Sequence, residues 1–227
     1  MMNPKMEAKR MLNGLWHMGP CSDIFMFHHV TAAPDRVLSL MLDTDAFLRF
    51  LDRPHRYAPL EAVMADKTYG GKAALTFDDG LLDAYTIAYP AMKERNLPFT
   101  LFVTTHWIGK EGYLSLSQLR ELYADPLCTI GVHGTEHRVL TQVGEQERRE
   151  EIFQSKDELE QMLGGKCDIF AYSNGRYDDG VLELVGQAGY KAACAVAGRP
   201  LNKRFDLGPY AYPRQSVEEA TREMFRL

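Results

Sequence analysis

Two short segments contain residue types that could hold a metal ion and activate water. Thr76–Gly80 (TFDDG) places Asp78 and Asp79 side by side at the end of an apolar run, and His133–His137 (HGTEH) spaces two imidazoles four residues apart. One carboxylate and two imidazoles commonly hold a divalent metal while leaving coordination positions open. The second carboxylate would lie beside the metal as a base, so the first hypothesis is a metal-assisted hydrolase.

Each motif alone has an ordinary structural explanation. Asp-Asp-Gly is most often a turn or a helix N-cap, and isolated histidines at this spacing are most often solvent-facing or packed in a core. Together the motifs are more specific, because each follows an apolar β-type run. Gly80 would permit the sharp turn that lets both carboxylates converge. His133 and His137 are expected to share one face of a helical turn.

Short β-type runs alternate with helical patterns along the chain. The predicted strands are Ile24–His28, Ala73–Phe77, Phe99–Thr104, Thr129–His133, Ile169–Tyr172, Ala192–Val196 and Tyr210–Arg214. The predicted helices are Asp45–Leu51, Leu82–Glu94, Ser117–Ala124, Glu145–Leu163, Asp179–Ala188 and Val217–Phe225. This alternation predicts a mainly parallel α/β fold, and the regular spacing favours a distorted, incomplete (β/α)7-type barrel over an open sheet.

The helix boundaries carry capping signals. Ser115 or Ser117, and Asp178, are the expected N-caps, while Gly164-Gly165 and Gly189 mark helix ends. The charged stretch 145–160 is expected to be the solvated face of a long helix, whose buried stripe would be Ile152, Leu159 and Leu163.

The candidate polar residues occupy equivalent places in this scheme. Asp78, Asp79, His133 and His137 fall at or just beyond the C-terminal ends of predicted strands, and so does His28. In parallel α/β architectures active sites assemble on that rim. One site would explain all five.

Bulk properties restrict the class of protein. With 227 residues and a net charge of −5, the chain is expected to be a single domain over residues 1–227 that does not bind nucleic acid. The four cysteines form no C-x-x-C pair and suggest reduced thiols.

Residues 1–19 lack the apolar stretch of a signal peptide, and no later segment could span a membrane. The chain as given therefore suggests a cytoplasmic location; a chain trimmed of its export signal, secreted or periplasmic, would look identical.

Three motifs carry a resemblance to a known family. Thr76–Gly80, His133–Leu140 and Phe170–Asp178 resemble motifs of the polysaccharide deacetylase family, carbohydrate esterase family 4, and the similarity spans a core of about 24–217. The resemblance implies that Asp79, His133 and His137 bind the metal and that Asp78 is the general base for the attacking water.

The third motif implies the substrate-binding residues. By the resemblance, these are Tyr172 and Asn174, and the backbone N–H of Asn174 would stabilise the oxyanion. The chain departs from the family at Ser173, where proline is usual, while Gly175 preserves the turn.

In the family the acid is usually a histidine in a late Leu-x-Ile-His-like motif, but no histidine follows His137 in this chain. Phe25–Val30 (FMFHHV) instead resembles the "LMYHRI" segment of the circularly permuted branch that deacetylates poly-N-acetylglucosamine. This resemblance makes His28 the candidate acid, with His29 as the alternative. Tyr212–Val217 resembles the Pro-Arg-x-x-Val strand of the same branch. Arg214 would orient Asp78 there, and a surface arginine is an equally weighted alternative.

The implied activity is removal of N-acetyl groups from N-acetylated sugar residues by a metal-dependent hydrolase, in which a metal-bound water attacks the amide. Zn²⁺ is the expected ion, and Co²⁺, Ni²⁺ or Fe²⁺ would suit the same ligands. The expected partner is an N-acetylated polysaccharide or oligosaccharide; no protein partner is implied. The alternatives are a related amidohydrolase acting on a small or nucleotide- or lipid-linked substrate, and a catalytically weak carbohydrate-binding homologue.

Overall fold

The computed structural model describes residues 19–32 and 40–217. Its strands are β1 (Asp23–Phe27), β2 (His29–Thr31), β3 (Met41–Asp43), β4 (Arg56–Tyr57), β5 (Lys72–Phe77), β6 (Phe99–Val103), β7 (Cys128–Val132), β8 (Ile169–Ala171), β9 (Ala192–Val196) and β10 (Tyr212–Ser216). The seven predicted strands are all present, with ends shifted by at most two residues. The three short strands β2, β3 and β4 were not predicted.

Seven of these strands close into a ring. The order β1-β10-β9-β8-β7-β6-β5 is completed by pairing of β1 with β5, and every pairing in the ring is parallel. The predicted barrel is therefore confirmed, with one strand fewer than a complete (β/α)8 barrel. The two residues of β4 pair with the first two residues of β5, and β6 pairs with the later residues of β5.

Helices cover the outside of the ring. They are α1 (Thr44–Leu51), α2 (Leu60–Ala65), α3 (Tyr89–Glu94), α4 (Leu116–Ala124), α5 (Glu145–Arg149), α6 (Ser155–Leu163) and α7 (Asp179–Gln187). A π-helical turn, Ala84–Ala88, leads into α3, and a second one, Glu150–Gln154, joins α5 to α6. The helix predicted over 145–163 is therefore present as one continuous helix, in which a π-helical turn separates two α-helical parts. Of the helix predicted at 217–225, residues 218–225 lie outside the described residues.

The capping predictions at Ser115, Asp178, Gly164 and Gly189 are confirmed; Gly189 has a φ of 76° directly after the C-cap of α7, Ala188. The side chain of Ser115 accepts the N–H of Gln118 in a capping box, and Asp178 accepts the N–H of Val181. Gly164 ends α6 with a positive φ of 70°. Ser117 lies inside α4 and is not its cap.

Alternate strand residues enter two different cores. Leu75 and Phe77 pack in the larger cluster with buried residues of the surrounding helices, while Ala74 packs with Phe102 and Ile169 in a smaller cluster. This alternation follows from the two faces of a strand and places the smaller cluster inside the barrel. The residues that follow the strands at their C-terminal ends form the mouth of the barrel. No helix of the described part of the chain is long and apolar enough to cross a bilayer.

Candidate metal and active site

The loop that follows β5 turns both aspartates towards the mouth. Its first N–H, from Asp78, donates to the carbonyl of Phe27 at 3.0 Å and continues the pairing between β5 and β1. Asp79 has a φ of 73° and Gly80 a φ of 75°. The turn expected at Gly80 is present, and it begins one residue earlier, at Asp79. Two consecutive left-handed residues reverse the chain, so both carboxylates face the same opening.

Asp79, His133 and His137 come together at this opening. The Nε2 atoms of His133 and His137 each lie 3.6 Å from Oδ1 of Asp79. One ligand atom from each residue can be chosen so that all three lie within 4.8 Å of one another, the only such group of three or more His, Cys, Asp or Glu in the described residues. Distances of this size between ligand atoms suit a shared divalent ion.

The ligand atoms of His133 and Asp79 are in a state that favours metal binding. Nδ1 of His133 lies 2.8 Å from the carbonyl of Ala171, which fixes this nitrogen as the N–H and leaves the Nε2 lone pair facing Asp79. Burial lowers the pKa of His133 and so favours the neutral, metal-binding imidazole. Oδ1 of Asp79 is buried and has no hydrogen-bond partner among the described residues, an arrangement that is costly unless another group coordinates it.

The segment His133–His137 is not the helical turn that its spacing suggested. It is an irregular loop after β7, with φ values of 86° at Gly134 and 59° at His137. These two left-handed positions fold the loop so that the imidazole rings stand edge to face, 4.8 Å apart between centroids. The prediction of a shared helical face was wrong, although the two rings do meet.

Asp78 is held by Arg214. The guanidinium donates to both carboxylate oxygens, from Nη1 to Oδ1 at 2.6 Å and from Nη2 to Oδ2 at 2.8 Å. Burial alone would raise the pKa of Asp78, but the charge of Arg214 and its hydrogen bonds hold that pKa well below its usual range. Arg214 has no exposed surface, so the surface-arginine alternative is wrong.

One cleft collects the other predicted site residues. A cavity of about 190 Å³ at the mouth is lined by His28, Asp78, Asp79, His133, His137, Tyr172 and Asn174, with Met26, Leu40 and Val196 as apolar walls. His29 is not among its lining residues. The Nδ1 atom of His29 pairs with Oδ2 of Asp83 at 2.6 Å, and this hydrogen bond raises the pKa of the imidazole.

The third motif forms a tight turn at the edge of the cleft. Asn174 has a φ of 54° and is exposed, and Gly175 has a φ of 68° and donates its N–H to the carbonyl of Tyr172 at 2.7 Å. A side chain on Gly175 would overlap Val196, so the turn requires glycine here. The hydroxyl of Tyr172 donates to the carbonyl of Tyr210 at 2.8 Å, and burial raises its pKa. Tyr172 therefore offers the cleft its ring rather than a free hydroxyl.

Two neighbours of the site were not predicted from the sequence. The centroid of the Trp107 ring lies 5.5 Å from that of the His137 ring, with 31° between the two ring planes, so the indole packs beside a candidate metal ligand. Glu151 was expected on a solvated helix face, yet it has no exposed surface. Nothing in the charged stretch distinguishes Glu151 from its exposed neighbours, because its burial depends on the loop that packs over it.

The fold and the site together define a parallel barrel that carries an Asp-His-His group at its mouth. The chain belongs to the polysaccharide deacetylase family, whose model matches residues 65–193. The resemblance predicted from the sequence is thus confirmed at the level of the family. The matched range includes Asp78, Asp79, His133 and His137; the cleft also includes His28, which lies outside that range.

Individual relatives agree with this assignment. YxkH of Bacillus subtilis (strain 168) is 31% identical over 153 residues, 67% of this chain and 54% of that protein, so the chain spans about half the length of this curated relative. The Streptococcus pyogenes deacetylase PplD in complex with acetate has a TM-score of 0.77 at 24% identity, covering 90% of this chain and 98% of that one. IcaB from Ammonifex degensii has a TM-score of 0.74 at 24% identity, with 88% and 92% covered. At these identities the structural likeness concerns the fold.

Proposed function

We propose that the protein is a metal-dependent hydrolase that removes N-acetyl groups from N-acetylated sugar residues. The observation that carries the proposal is the group of Asp79, His133 and His137, with ligand atoms within 4.8 Å of one another. Zn²⁺ suits these ligands best, and Co²⁺, Ni²⁺ and Fe²⁺ are compatible with them. When bound, such an ion supplies polarisation of the amide carbonyl and a lower pKa for the attacking water.

Asp78 is the proposed base. Its Oδ2 lies 3.7 Å from Nε2 of His133, so the carboxylate adjoins the ligand group. The ion pair with Arg214 keeps it ionised and fixes the direction of both oxygens, and an ionised, oriented carboxylate can accept a proton from water. Arg214 is therefore proposed as a positioning residue for the base.

His28 is the proposed acid that protonates the leaving amine. It is buried and lines the same cleft as Asp78, whereas the neighbouring His29 is engaged by Asp83. An imidazole can donate and accept protons near neutral pH, as this role requires. The exposed turn at Asn174 supports a role for its backbone N–H as oxyanion donor, and the Tyr172 ring is proposed to contact the sugar.

The substrate class is tested by the product that is released. The purified protein, loaded with zinc, is expected to release acetate from N-acetylglucosamine oligomers. Release of ammonia from small cyclic or linear amides, without acetate from any N-acetylated sugar, would favour the related amidohydrolase. Sugar binding without turnover in the presence of zinc, cobalt or nickel would favour the carbohydrate-binding homologue.

A further inference from the structure

Glu151 has a buried carboxylate that none of the roles above uses. It lies in the π-helical turn Glu150–Gln154 and has no exposed surface. In the described part of the chain, the one cationic atom within 4 Å of it is Nε of Arg138, at 3.9 Å. A charge in this position needs further compensation, because burial without partners is costly.

The compensation comes from the loop that carries the histidines. Oε2 accepts the backbone N–H groups of Thr135, at 3.1 Å, and of Arg138, at 3.4 Å. Oε1 accepts the hydroxyl of Thr135, at 2.8 Å, and the N–H of Glu136, at 3.0 Å. Four donors from one short segment converge on one side chain. A carboxylate, which only accepts, can satisfy all four, while an amide in its place cannot.

The loop passes directly over this carboxylate. A Cβ built on Gly134 would overlap the carboxylate of Glu151, so the backbone and the acid are in close contact. On its other side the loop is tied to the segment after β6. The N–H of Thr105 donates to the carbonyl of Gly134 at 3.0 Å, and that of His106 to the carbonyl of Thr135 at 3.1 Å. The loop has no helical or sheet ladder of its own, so these contacts determine its conformation.

We propose that Glu151 is a positioning residue for the metal centre. By fixing the backbone between His133 and His137, it holds the two imidazoles at the spacing at which both Nε2 atoms face Asp79. The inference rests on the proposed function, because it takes these residues as metal ligands. Outer partners that orient metal ligands typically contribute about 10- to 100-fold to metal affinity.

The test measures the zinc dissociation constant of the full chain by competition with a chromophoric chelator. Glu151→Gln and Glu151→Ala are expected to raise this constant by about 10- to 100-fold. Glu160→Gln is the matched control, because Glu160 is another acid of the same continuous helix that accepts a backbone N–H, that of Cys167 at 3.0 Å. The control is expected to lower stability without changing zinc affinity.

Further measurements separate positioning from a general loss of folding. The zinc dissociation constants are compared without denaturant, for variants that circular dichroism shows to be folded. If the Glu151 variants do not fold, Thr135→Val takes their place, because it removes only the hydroxyl that donates to Glu151. Thr135→Val is expected to raise the zinc dissociation constant by a smaller factor. Wild-type zinc affinity in the folded Glu151 variants, or in Thr135→Val when those do not fold, would overturn the inference. Absence of zinc binding by the wild-type protein would instead overturn the proposed metal centre itself.

Discussion

Arg214 and Asp78 lie 136 positions apart in the sequence and form a bidentate ion pair, with distances of 2.6 Å and 2.8 Å. Asp78 is 2% exposed and Arg214 0%, so neither charge has water to replace its partner. The pair joins the end of β5 to β10, the two strands that flank β1 in the ring. It links the proposed base to the stability of the fold.

Removal of either partner alone is therefore expected to destabilise the protein. Arg214→Met and Asp78→Leu should each lower the free energy of unfolding by about 3–5 kcal/mol, because the remaining charge is buried without compensation. The double variant should recover most of this loss, since apolar side chains then replace both charges. Urea unfolding followed by circular dichroism measures all three. Losses that simply add in the double variant would contradict the assignment.

Substrates with different leaving groups distinguish the role of His28 from that of His29. His28→Asn is expected to lower kcat on N-acetylated sugars by about 10²- to 10⁴-fold, the usual contribution of a general acid. On an aryl acetate, whose leaving group needs no protonation, the same variant should retain most of its activity. His29→Asn, the matched control, should change either rate only a few-fold. An equal loss on both substrates would show that His28 is not the acid.

The His29–Asp83 pair predicts a pH dependence of stability. The hydrogen bond from Asp83 raises the pKa of His29 above its ordinary value of 6.5 in the folded protein. The stabilising contribution is therefore fully present below pH 6.5 and is lost as the pH rises through the raised, folded-state pKa. The difference in unfolding free energy between the wild type and His29→Gln should be larger at pH 6 than at pH 9. Equal differences at the two pH values would count against this pair.

The turn at Asn174 makes a backbone prediction. Asn174→Gly keeps the N–H and tolerates the φ of 54°, so activity should stay within a few-fold of the wild type. Gly175→Ala would place a methyl group against Val196 and displace the turn. Its kcat should fall by about 10²- to 10³-fold, the usual effect of losing one oxyanion donor. Zinc affinity, measured alongside, should be unchanged in both variants. Full activity in Gly175→Ala would argue against an oxyanion role for this turn.

The barrel and the positions of most candidate site residues could be predicted, because each depends on a local pattern. Apolar β-type runs fixed the seven strands, and polar residues at their ends marked the mouth. Parallel pairing then brings those ends together whatever the packing details are. The choice of His28 as the candidate acid required two further observations. No histidine follows His137, and Phe25–Val30 resembles the segment that carries the acid in the permuted branch.

The rest depended on contacts between distant segments. Arg214 is buried because its strand pairs with β9 and β1 in a register that points the side chain towards Thr76 and Asp78. Glu151 is buried because the histidine loop packs over it. The loop itself takes left-handed positions at Gly134 and His137, which the four-residue spacing does not reveal. None of these arrangements leaves a periodic signal in its own segment.

The most direct test of the account is acetate release from N-acetylglucosamine oligomers with and without metal. Chelated wild-type protein should release no acetate, and added zinc should restore the rate. Asp79→Asn should stay inactive at the same zinc concentration, because it loses the charged ligand. Asp78→Asn should bind zinc yet turn over about 10²- to 10⁴-fold more slowly. Acetate release by the chelated protein at the rate of the zinc-loaded protein would contradict the proposed metal-dependent deacetylation.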